Sequence, residues 1–133
     1  KVIAGEYRNL RGEVIRGPIY GLSTEPLFFD IHLHDQESFS HSIPITHNAF
    51  IYIYEGDLKI GSALQAAPKQ SAIILSEGDQ LNITASEQGA KAIVLAAKPL
   101  HEPIVQHGPF VMNTREEIEQ AIDDYQHNRL TAI

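Results

Sequence analysis

A chain of 133 residues with 10 Lys and Arg against 17 Asp and Glu carries a formal net charge of −7. That length fits one domain with a core of its own, and the negative charge, with no basic cluster to offset it, argues against direct binding to nucleic acid. There is no cysteine, which excludes disulfides and thiolate metal sites, and no run approaches the roughly twenty apolar residues that a membrane-spanning helix needs.

The first residues, "KVIAGEY", read as a strand and hold no apolar targeting segment. The chain is therefore expected to be soluble and cytoplasmic. It starts without methionine, which favours a piece of a longer polypeptide. From Val2 to about Leu100 short β-type runs alternate with Gly, Pro, Asp and Ser: "VIAGEY", "EVIRGPIYG", "LFFDIHLH", "AFIYIYEGDLKIG", "SAIILSEGDQLNITAS" and "AKAIVLAAKPL". Strands this short with breaks this frequent predict an all-β sandwich or barrel. Glu55-Gly56-Asp57 and Glu77-Gly78-Asp79 read as two tight reversals, with glycine supplying the permissive backbone. After Pro109 the period changes. Ile118, Ala121, Ile122 and Tyr125 fall at helical spacing, and Thr114 with Glu117 three residues on is a capping-box pattern. A helix over about 114–128 follows, with a barrel over about 1–108.

Two histidines one residue apart in "DIHLHDQE" raise a metal site, because His-x-His on a strand sends both imidazoles to one face. The alternation of "LFFDIHLH" argues against it. Leu27, Phe29, Ile31 and Leu33 share the more apolar face, which leaves His32 and His34 on the wetter one, and Glu37 lies in the following turn. His41 and His47 flank "SIPIT", and His101 and His107 flank "EPIVQ", at spacings that match no ligand signature. Serine chemistry lacks a nucleophile elbow, phosphate binding lacks a glycine-rich loop, and the acidic residues Glu116, Glu117, Glu119, Asp123 and Asp124 fit a solvated helix face. No catalytic residue and no metal ligand is predicted in this chain.

The segment "KPLHEPIVQHGPFVMNTREEIEQAIDDY" closely resembles the C-terminal signature of the pirin family of two-domain cupins. "VIAGEY", "AFIYIYEGDLKIG" and "EGDQL" resemble the second cupin domain of the same family more loosely. The resemblance implies an antiparallel, jelly-roll-type double-stranded β-helix barrel with one C-terminal helix, and an N-terminal cupin absent from this chain. It also implies a non-haem metal, Fe(II) or a similar divalent ion, held by three histidines and a glutamate in that missing half. Laid on this sequence, the general cupin ligand pattern puts Ala49 at the glutamate position. Ile43 and Ile45, or Ser42 and Pro44, fall at the first histidines and Gly89 at the last.

The resulting expectation is a non-catalytic cupin domain that packs against a metal-bearing N-terminal cupin or a partner subunit. The interface is predicted from His107, Phe110, Val111, Met112, Ile118, Ala121, Ile122 and Tyr125, with self-association when the first half is missing. The alternatives are part of a metal-dependent dioxygenase of the quercetin 2,3-dioxygenase type and a regulatory protein-binding module. The interior is expected to be filled by side chains. A small apolar ligand there would be lined by Phe50, Tyr52 and Tyr54 or by Ile51 and Ile53.

Overall fold

The computed structural model describes residues 1–9, 11–62 and 64–131. It divides into two compact units, Lys1–Pro99 and Leu100–Ile133. The first is all strand: β1 (Val2–Ala4), β2 (Glu6–Arg8), β3 (Val14–Arg16), β4 (Leu27–Leu33), β5 (Ser38–Ser42), β6 (Asn48–Ile60), β7 (Gln65–Ala67), β8 (Ser71–Ile74) and β9 (Gln80–Ala97). The second holds β10 (Val105–His107), β11 (Phe110–Met112) and helix α1 (Arg115–Gln126). No helix among the described residues is long and apolar enough to cross a membrane.

Two long strands organise the barrel. The C-terminal part of β9 lies between β4 and the first half of β6, with β1 beyond β4 and β8 beyond β6. The N-terminal part of β9 lies between β5 and the end of β6, with β7 beyond β6. The strand pairings among the described residues are antiparallel, an isolated parallel bridge between Ala4 and Ile19 apart, and one core joins both halves: Phe29, Ile31, Ile51, Ile53 and Val94 with Leu58, Leu81 and Ile83. The expected all-β architecture followed by one C-terminal helix is thus the observed one.

Both long strands change phase where the sheet folds over. In β6, Ile51 and Ile53 point inward, then Leu58; in β9, Leu81, Ile83 and Ala85 point inward, then Ala90, Ala92 and Val94. An odd-to-even switch requires one extra residue in the ladder, which is a β-bulge. The register shifts between Ile53 and Glu55 and between Gly56 and Leu58. Gly56 (φ +66°) and Gly89 (φ +73°) occupy the left-handed region that the bend demands. Glu55-Gly56-Asp57 is accordingly a bulge inside a continuous strand rather than the expected reversal. Glu77–Asp79 does lie in the loop between β8 and β9. Likewise "QLNITAS" and "AKAIVLAA" are one strand bent at Gly89, and "SFSHS", not among the strands expected from the sequence, forms β5.

In the second unit β10 pairs with β11, with Gln106 opposite Val111. Helix α1 starts at the expected place. The Thr114 hydroxyl accepts from the Glu117 backbone N–H at 3.2 Å, and the Glu117 carboxylate accepts from the Thr114 N–H at 2.9 Å, so two orphan donors are satisfied reciprocally. At the other end Arg129 pairs with Asp123 and Asp124.

Candidate functional site

The strand that carries the histidine pair has the expected polarity. Phe29, Ile31 and Leu33 are buried, whereas His32 is exposed on the outer face beside Asp30. There the Tyr54 hydroxyl donates to Asp30 Oδ1 at 2.7 Å and lies 2.9 Å from His32 Nε2, which is itself 3.1 Å from Asp30 Oδ1. Desolvation, then the hydrogen bond and charge of Asp30, push the Tyr54 phenol up to about 12. Burial alone would raise Asp30, but the Tyr54 hydroxyl and the His32 imidazole hold its carboxyl below its ordinary value. These three groups answer one another, and His34 is not among them. Its backbone N–H donates to Glu37 Oε2 at 2.8 Å, so this glutamate closes a turn.

The remaining histidines are dispersed. His41 points from β5 into an aromatic cluster, 4.8 Å from the Phe29 ring centroid and 5.9 Å from Tyr7, and burial depresses its pKa. His47 Nε2 is 3.5 Å from a Glu25 carboxylate oxygen. Glu102, in the second unit, accepts from Asn113 Nδ2 at 2.8 Å. Among the described residues no three His, Asp or Glu side chains are placed to hold a metal ion. Of the positions to which the cupin pattern counts, Ile43 is buried in the core, Ala49 packs on it, Ser42, Pro44 and Ile45 are exposed, and Gly89 forms the bend.

The interior is lined by the isoleucines. Ile51 and Ile53 are fully buried, and Phe50, Tyr52 and Tyr54 stand outside on the same strand. On that outer face the register aligns Phe28, Leu95, Phe50 and Ile74 in one row across β4, β9, β6 and β8, with Ile93 and Tyr52 in the next. Ile74 is 88% exposed, so the row ends in open apolar surface. Sequence reasoning missed this face, although the aromatic phase of "AFIYIY" signals it. Elsewhere in the first unit a cavity of about 550 Å³ opens beside β4 and β5, walled by Phe29, Ile31, Leu33, Phe39 and Ile83. Tyr7 and Phe39 stack at its side with centroids 5.4 Å apart.

The predicted interface residues fall within the second unit. His107, Val111 and Tyr125 are exposed, Phe110, Met112 and Ile122 half-buried, and Ile118 and Ala121 buried. Phe110 meets Tyr125 edge-on at 6.3 Å. Val111 stands on the face of β11 opposite to Phe110 and Met112, so the exposed members of the set do not share one face of the ribbon.

Comparison with known proteins agrees with this geometry. A family model described as the pirin C-terminal cupin domain matches residues 28–131. A Pseudomonas aeruginosa protein named as a putative quercetin 2,3-dioxygenase is 43% identical over 126 residues, covering 93% of this chain and 43% of that protein. Human pirin is 36% identical over 129 residues, covering 95% of this chain and 42% of its own length. The crystal structure of a quercetin 2,3-dioxygenase from Acinetobacter baumannii superposes with a TM-score of 0.80 at 30% identity, covering 98% of this chain and 43% of that one. The chain thus spans less than half the length of these relatives.

Proposed function

Because the chain belongs to the pirin family, as its C-terminal cupin domain, we propose that it serves as the non-catalytic half of a bicupin and packs against a metal-bearing N-terminal cupin or a partner subunit. One observation carries this reading. The general cupin ligand pattern counts in this sequence to Ala49, to Ile43 and Ile45 or Ser42 and Pro44, and to Gly89, and no three His, Asp or Glu side chains among the described residues are placed to hold a metal ion. A three-histidine, one-glutamate set does not fit these residues, so no chemical step is assigned to them. The divalent metal belongs to the half outside this chain. The face that carries His107, Phe110 and Met112, with Tyr125 against Phe110, is the contact surface proposed for that half, and in its absence this face promotes self-association.

A second reading draws on the relatives. Two of them carry the name quercetin 2,3-dioxygenase, which favours a parent protein that is a metal-dependent dioxygenase, this domain shaping access to the metal in the other half. A role as a regulatory protein-binding module uses the same surfaces. The test is metal analysis of the purified chain after loading with ferrous, manganous or zinc ions and gel filtration, beside a His32→Ala/His34→Ala variant. Substoichiometric metal in both supports the ligand-free reading. About one metal per chain, lost in the variant, overturns it.

A further inference from the structure

The outer row that ends in the exposed Ile74 ends at an unpaired strand edge. Strand β8 is hydrogen-bonded to β6 on one side and to no strand among the described residues on the other. Ile73 lies opposite Ile51, and the Leu75 N–H donates to the Ala49 carbonyl at 3.0 Å, so Ser71, Ile73 and Leu75 turn their backbone groups toward β6. In an antiparallel ladder these groups alternate in direction, which aims the N–H and C=O of Ala72 and Ile74 outward. Outside the β6 ladder neither residue makes a backbone hydrogen bond among the described residues. Both side chains are exposed, that of Ile74 almost completely. The stretch "SAIILS" over residues 71–76 has no charge, no proline and no bulge, the devices by which an exposed edge resists pairing. Its flanks differ in sign, with Lys69 exposed in the turn before β8 and Glu77 exposed in the loop after it.

We infer that two copies of this chain pair through β8, antiparallel about a two-fold axis at Ile73, and so join their sheets into one. The occupant follows from three matches. In hydrogen bonding, Ala72 of one copy stands opposite Ile74 of the other, and each of these two pairs exchanges both of its outward N–H and C=O groups. In volume, each isoleucine meets a small side chain, and the row of Phe28, Leu95, Phe50 and Ile74 runs on into Ala72, Tyr52 and Ile93 of the second copy. In charge, antiparallel pairing brings the Lys69 end of each β8 to the Glu77 end of the other, which gives local attraction between chains that each carry −7 overall. Because both copies use the same edge, the contact closes at two and does not propagate. This edge lies at the end of the sheet opposite β1, and in a different unit from the Phe110 and Tyr125 face.

The experiment is sedimentation velocity of the chain from about 10 µM to about 1 mM, at low salt. A reversible monomer–dimer equilibrium is expected, with slower amide exchange at Ala72 and Ile74 at the high concentration. Ile74→Lys places a charge on the edge, and Ala72→Pro removes a donor that the monomer leaves unused; each should weaken dimerisation by about tenfold or more. Lys69→Glu and Glu77→Lys should each weaken it by about threefold, and the double variant, which restores opposite charges across the two-fold, should recover it. A monomer at every concentration overturns the pairing. So does a dimer indifferent to Ile74→Lys and Ala72→Pro, and if that dimer is lost with Tyr125→Ser, association belongs to the second-unit face. None of these results bears on metal content, so failure here is separable from failure of the non-catalytic reading.

Discussion

The fold-over of the barrel depends on a backbone crossing that one methyl group would disrupt. A Cβ built on Gly56 falls 2.1 Å from the Gly89 carbonyl oxygen and 2.9 Å from Ala90 Cα, and Gly56 has φ +66°. The left-handed conformation costs a non-glycine residue about 1–2 kcal/mol. The steric part has no easy relief, because the atoms in the way are backbone of a paired strand with no rotamer to change. Gly89 in turn has no room to retreat, since its own Cβ position lies 2.7 Å from the Leu33 carbonyl oxygen. Adding about 1–3 kcal/mol for the displaced strands gives a loss of about 2–5 kcal/mol for Gly56→Ala. At about 4 °C per kcal/mol for a chain of this size, Tm falls by roughly 8–20 °C. Gly21→Ala is the control, with a similar φ of +74° and no described atom within 4 Å of the added Cβ; it is expected to cost about 1 kcal/mol, or roughly 4 °C. Thermal unfolding followed by far-ultraviolet circular dichroism reads both. Equal losses in the two variants would refute the claim that the crossing, rather than the positive φ alone, makes glycine obligatory at residue 56.

Two further outcomes follow from local chemistry. His41 lies among Tyr7, Phe29 and Phe39, and burial lowers its pKa. The folded state thus resists a proton that the unfolded chain accepts, so its contribution is present above the unfolded value of about 6.5 and is lost as pH falls toward the lower folded value. His41→Phe should flatten that part of the stability-versus-pH profile, measured by urea midpoints, and an unchanged slope would place the acid sensitivity elsewhere. Thr114→Ala removes the oxygen that accepts from the Glu117 N–H and should destabilise α1 by about 1 kcal/mol. Faster amide exchange at Glu117 and Ile118 in that variant, restored by Thr114→Ser, checks the cap; unchanged exchange speaks against it.

How much of this was legible in the sequence follows from the range of the interactions. Helix α1 was readable to within two residues because its signals are local: a Thr-x-x-Glu cap and an apolar stripe within one segment. The inward and outward faces of β4 were readable for the same reason, since a period of two separates Phe29, Ile31 and Leu33 from Asp30 and His32. Strand β5 escaped because serine fills every second position of "SFSHS" and only Phe39 and His41 turn inward. The bulge at Gly56 escaped for a different reason. Glu-Gly-Asp has the same local preferences in a reversal and in a bulge, and the choice is made by β9, about thirty residues away, whose own glycine meets it.

The candidate surfaces show the same division. Where both phases of a strand are apolar, as in "AFIYIY", periodicity identifies a strand but not its inner face. The inner face is set by the pairing with β9, which puts Ile51 opposite Val94 and Ile53 opposite Ala92 in the core and leaves Phe50, Tyr52 and Tyr54 outside. His32 and His34 read in the sequence as a possible metal pair. In the structure the His32 side chain lies on the outer face beside Asp30 and Tyr54, while the His34 backbone N–H is held by Glu37, so what a His-x-His spacing suggests is divided between a side-chain cluster and a turn.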